Sequence, residues 1–166
     1  MARIILITGL WIPFIGRAPT DGEALVKKLA AQYPRANLTW HSWFGEIAVD
    51  PLVHESPLIL IGHSFGGAVC VKLARELEKR GKRIDELLLL DPVPTDFNGR
   101  WKRGKIDVPD NVQTTRCIAR SLRLYPRSKK ANGQNVKNET RWIGHDKFMC
   151  KDEIVGIVEG IVKRFG

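Results

Sequence analysis

Cysteine is scarce in this chain: Cys70, Cys117 and Cys150 are an odd number, widely spaced, with neither a C-x-x-C pair nor a zinc-ligand spacing. A disulfide framework and a structural zinc site are thereby excluded as organising devices. A reducing compartment, and with it a cytoplasmic location, is expected. Long apolar runs are also missing, and none approaches the roughly 20 residues a membrane helix needs, so no transmembrane segment is expected. The apolar Ile4-Ile5-Leu6-Ile7 follows the single basic residue Arg3, but Gly9 and Pro13 interrupt it and no small-x-small cleavage site follows closely. It reads as a buried strand, not a secretion signal. Internal repeats and low-complexity linkers are absent as well. Acidic residues are outnumbered, 18 against 27 basic, which leaves a formal charge of +9. In most chains such an excess is a solvated surface; it also suits an anionic surface as a partner. No nucleic-acid motif accompanies it, so nucleic acid is not an expected partner.

What the chain does have is alternation of aliphatic runs with helical patterns over 166 residues, the size of one domain with a real core, covering 1–166. Arg3 to Thr8, Leu58 to Ile61 and Ile84 to Leu90 are apolar runs of the kind a parallel strand shows when both its faces are covered. Asn37 to Trp43, Thr114 to Ala119 and Glu139 to Ile143 complete a set of about six strands. Between them, helical spacing runs from Asp21 to a point before Pro34, from Ala68 to Arg80 and from Lys151 to Phe165. Gly156 and Gly160, four apart on the last helix, are read as points of close packing on the sheet. Asn132-Gly133 is a turn signal between two segments that could pair as a hairpin. The fold class is therefore α/β, a mostly parallel sheet with helices on both faces.

One stretch carries chemistry. Gly62-His63-Ser64-Phe65-Gly66 fits G-x-S-x-G, and it lies between a strand and a helix, where a sharp turn holds the serine at its tip. Ser64 is the candidate nucleophile. A serine hydroxyl is a poor nucleophile at neutral pH and needs a base. Histidine, with an unperturbed pKa of about 6.5, suits that task. His145 follows the last strand and precedes the last helix, whereas His41 and His54 read as surface or strand-end residues and His63 as packing behind the turn. Asp91, straight after four leucines, puts an acid at the C-terminal edge of the sheet, where open parallel sheets place their sites.

With strand, elbow and helix in this order, the chain resembles the α/β-hydrolase family, in particular its small single-domain serine esterases and lipases. The resemblance implies a minimal fold without a large cap, and a triad in the order Ser64, Asp91, His145. Its usual acid would follow the fifth strand, but Ser121 to Arg127 contains no carboxylate, so Asp91, one strand earlier, takes that place with Asp96 as runner-up. Asp107, Asp110 and Glu139 are poorly placed. The oxyanion would be held by the N–H groups of Phe65 and Leu10, although Thr8-Gly9 stands where the family commonly has His-Gly. Trp11, Ile12 and Phe14, with Leu10 and Phe65, would line a shallow substrate site. No metal or organic cofactor is implied. Carboxylic ester hydrolysis through an acyl-serine is the expected reaction, with thioester hydrolysis next and a small molecule, lipid or polymer ester as substrate. The alternative is a non-catalytic relative that binds an anionic partner through basic loops.

Overall fold

The computed structural model describes residues 1–9, 21–94, 105–121 and 129–165, with residue 21 and residues 145–147 described by their backbone only. Six parallel strands form the central sheet: β1 (Arg3–Thr8), β2 (Asn37–Ser42), β3 (Leu58–His63), β4 (Glu86–Leu90), β6 (Thr115–Arg120) and β8 (Val136–Arg141), in the order β2-β1-β3-β4-β6-β8. Two short strands, β5 (Ile106–Asp107) and β7 (Ala131–Asn132), pair in parallel as a separate ribbon. Among the described residues the α-helices are α1 (Asp21–Gln32), α2 (Phe65–Glu78) and α3 (Asp152–Phe165).

The aliphatic strand runs divide by alternation between two cores. Ile4, Leu6, Ile59, Ile61, Leu88 and Leu90 pack with α1 and α3. Their neighbours Ile5, Ile7, Leu58, Leu60, Leu87 and Leu89 pack with α2 on the other face. Both faces are dry, which is why these strands read as continuous apolar runs. The β5–β7 ribbon completes the second face, with Ile106 and Ala131 in the α2-side core.

Two local expectations are corrected. Asn132-Gly133 does not join a hairpin: β7 pairs with β5, and Asn138 from β8 bonds both the N–H and the carbonyl of Ala131, each at 2.9 Å, through its side-chain amide. The side-chain bonds take the place of a backbone ladder between β7 and β8. Gly156 and Gly160 do not pack closely on the sheet either, since a Cβ on either would meet nothing within 4 Å. They open instead onto a groove of about 670 Å³ that also touches Glu86, Thr115 and Lys137 at the N-terminal ends of the strands. That groove lies at the edge of the sheet opposite Ser64. No described helix is long and apolar enough to cross a membrane.

Candidate active site

β3 is hydrogen-bonded between β1 and β4, so its C-terminal end is anchored on both sides. The chain leaves it through Ser64 and enters α2 at once. Ser64 has φ 57° and ψ −125°, and it is 3% exposed. This backbone is tolerable only because the flanking glycines allow the turn to close. A Cβ on Gly66 would overlap the carbonyl oxygen of Ile7, and one on Gly62 would lie 2.6 Å from the Cα of Gly67. Ser64 N–H donates to the Leu90 carbonyl at 3.0 Å, and its own carbonyl accepts from Gly67 and Val93 at 3.0 and 3.1 Å. The elbow is thus tied to the segment that follows β4.

That segment holds Asp91, fully buried, with φ 43°. Ser64 and Asp91 are the only non-glycine residues with positive φ among those described. Asp91 donates its N–H to the Ile118 carbonyl at 2.7 Å, and its Oδ2 lies 3.6 Å from the Nε of Arg120 at the end of β6. Glu139 serves a different purpose. Arg116 grips it with two bonds, Nε to Oε1 at 2.7 Å and Nη2 to Oε2 at 2.9 Å, and Arg141 adds another at 2.7 Å. These hydrogen bonds hold its carboxyl down at about 2, so it is a structural anion between strands.

The chain after β1 comes against Ser64. A Cβ on Gly9 would lie 2.7 Å from Ser64 Oγ and 2.8 Å from the Phe65 nitrogen. Only glycine fits between that hydroxyl and the first amide of α2. Thr8, in the position where a histidine would be expected, is buried and accepts a hydrogen bond at 2.9 Å from Trp40 Nε1 through its Oγ1, while its carbonyl accepts from Trp43 N–H at 2.9 Å. β2 therefore anchors the start of this loop. Leu10, Trp11, Ile12 and Phe14, and also Asp96, lie outside the described residues.

His145 begins a 3₁₀ turn, His145–Cys150, and its side chain lies outside the described residues. The turn itself is fixed by buried Phe148, whose ring stacks on that of His63 at 6.1 Å between centroids. His63 directly precedes Ser64, so the turn that starts with His145 is packed against the elbow. Cys70 and Cys117 are buried thiols, and burial pushes Cys117 up to about 11 and Cys70 higher still. Neither is an activated nucleophile.

Aromatic residues missed in the sequence flank the elbow. Trp43, just after β2, tilts against the Phe65 ring at 5.5 Å, and Phe44, 69% exposed, meets Trp43 edge-on at 5.9 Å. The signal was an aromatic pair at the C-terminal end of a parallel strand, where sites form. Among the described residues no group of His, Cys, Asp and Glu is arranged to hold a metal.

The family model described as "Thioesterase domain" matches residues 45–120, a span that includes the elbow and Asp91. Over 55 residues, 33% of this chain, the sequence is 50% identical to N-(5-amino-5-carboxypentanoyl)-L-cysteinyl-D-valine synthase of Amycolatopsis lactamdurans. The match spans only 1% of that protein's length. Among solved structures, a putative hydrolase from Agrobacterium vitis S4 is similar with a TM-score of 0.59 and 13% identity, covering 98% of this chain and 88% of that one. The NocB thioesterase domain from the nocardicin cluster is similar with a TM-score of 0.53 and 13% identity, covering 99% and 94%. At these identities the likeness is one of fold.

Proposed function

From a chain with the α/β-hydrolase fold, we propose a serine hydrolase that transfers an acyl group from a thioester or ester to water through an acyl-serine intermediate. The observation that carries this reading is the paired backbone strain: the two non-glycine residues with positive φ among those described are the nucleophile and acid candidates, and Ser64 is hydrogen-bonded to Leu90 and Val93 on either side of Asp91. Strain of this kind costs roughly 1–3 kcal/mol per residue and tends to collect at functional sites. The thioesterase-domain match across 45–120 supports thioesters ahead of the carboxylic esters that the sequence alone favoured.

In this reading His145 takes the Ser64 proton as Oγ attacks the acyl carbon, and Asp91 orients the imidazole and stabilises its charged form. The carbonyl oxygen becomes an oxyanion held by the N–H groups of Phe65, at the N-terminal end of α2, and of Leu10. Collapse breaks the bond to sulfur or oxygen, and His145 returns the proton to the leaving group. A water then attacks the acyl-serine with the same base, which releases the acid and restores Ser64. A thiol leaving group, with a pKa of about 8.5, departs with less help from His145 than an alcohol would.

A panel of matched thioesters and oxygen esters of increasing acyl length tests the reading on wild type, Ser64→Ala, His145→Ala and Asp91→Asn. Turnover should fall at least about 10³-fold in the first two variants, with thioesters preferred in the wild type. Wild-type turnover by Ser64→Ala would sink the proposal, and a wild type that turns over none of the panel would leave a binding role for the fold.

A further inference from the structure

Arg120 closes β6, and Asp91 follows β4 on the adjacent strand. Their side chains are 5% and 0% exposed, with Nε and Oδ2 3.6 Å apart. A guanidinium is rarely so buried unless a carboxylate accompanies it. Here the carboxylate is the one with a left-handed backbone, one strand from the nucleophile. Other charged or titratable groups surround the pair. His63 lies on β3, Cys117 on β6, and Glu139 and Arg141 on β8, with Arg141 in register with Arg120. Glu153 on α3 pairs with Arg141, and Lys129 donates its N–H to the Pro92 carbonyl at 3.1 Å beside Lys130. The first turn of α2 carries no acidic group. His145, Asp146 and Lys147 begin the 3₁₀ turn. Cys117 stays neutral and Glu139 stays ionised throughout the range in which an imidazole titrates.

We propose that Arg120 is a positioning residue that fixes the Asp91 carboxylate and lowers the pH at which the Asp91–His145 pair reaches its active protonation state. The proposal rests on the triad reading above. The active state has Asp91 ionised and His145 neutral. Adding one proton to the pair, whichever residue carries it, raises the charge beside a permanent cation and is disfavoured by it. Removing the cation must therefore move the acid limb of the rate profile upward.

The test is the pH dependence of kcat/KM for a short acyl thioester with wild type, Arg120→Met, Arg120→Lys and His63→Gln, with melting curves to establish folding. Arg120→Met should shift the acid limb upward by about one pH unit, a tenfold loss of kcat/KM below the limb. Arg120→Lys, which keeps the charge and loses the planar fork, should leave the limb in place with kcat reduced. His63→Gln should leave the limb unmoved. An unmoved limb in folded Arg120→Met overturns the proposal, and so does a shift by Arg120→Lys, which carries the test alone if the methionine variant does not fold. A limb moved by His63→Gln would reassign the titration to His63 and also overturn it. Ser64→Ala and His145→Ala separate the two levels. If both are inactive and the limb is unmoved, only the role of Arg120 falls; if either keeps wild-type turnover, the triad reading falls with it.

Discussion

Ser64, Asp91 and Gly9 sit at the C-terminal edge of the sheet, and two kinds of local cost meet there. The first two hold strained backbones, with φ of 57° and 43°. Gly9 gives up a side chain, because a Cβ would lie 2.5 Å from the Ser64 Cβ and 2.7 Å from its Oγ. Gly9→Ala is therefore expected to fill the space between the hydroxyl and the Phe65 amide. In this account kcat falls by about 10²-fold or more, the scale of a lost oxyanion donor, and the overlap also lowers the melting temperature, since overpacking a filled site costs about 1–3 kcal/mol. Steady-state kinetics beside a melting curve checks this, and an unimpaired Gly9→Ala would remove the loop from the site. The sequence pattern made Ser64 legible because glycine spacing is a backbone signal. Gly9 gave no such signal: nothing in Thr8-Gly9-Leu10 says that β1 and the elbow meet there.

At the scale of elements, the elbow is placed by β3, held between β1 and β4, and by α2, which begins without an intervening loop. The edge strand β8 is organised differently. Its α3-facing side is charged, and Glu139 is held between Arg116 and Arg141 while Arg141 also pairs with Glu153. Glu139 is lowered from its ordinary 4.5 to about 2, so its stabilising contribution is full above pH 4.5 and is lost as pH falls toward 2. Glu139→Gln should destabilise the fold by about 1–2 kcal/mol at neutral pH, with the gap to wild type closing in acid. Denaturant melts at several pH values measure this, and a constant gap down to pH 2 would contradict it. Strands β1, β3 and β4 were legible as apolar runs because both their faces are buried. The β5–β7 ribbon was not. Its strands are two residues each and its pairing partner is remote in sequence, so the local turn signal at Asn132-Gly133 suggested the wrong partner.

For the whole molecule, two dry cores flank one parallel sheet, and the site candidates gather at its C-terminal edge. α1 and α3 cover one face, while α2 and the small ribbon cover the other. Fold class followed from the aliphatic pattern that burial on both faces leaves in β1, β3 and β4; the last strand, read as Glu139 to Ile143, runs instead from Val136 to Arg141, because its exposed, polar residues carry no such pattern. Helix-to-sheet spacing did not follow either, and Gly156 and Gly160 face a groove where close packing was expected. A spacing of four residues places two glycines on one side of a helix without saying what that side meets. The aromatic ledge of Trp43 and Phe44 left a positional signal at the end of β2, but its contact with Phe65 on a different element was not legible.

The central claim, acyl transfer through Ser64, is tested most directly by intact-mass and peptide mapping of the protein trapped with a slow acyl thioester or a fluorophosphonate. The account predicts one adduct on the peptide carrying Ser64, absent in Ser64→Ala and formed much more slowly in His145→Ala. Turnover of the thioester with no adduct on Ser64, or labelling of Ser64→Ala at the wild-type rate, would contradict it.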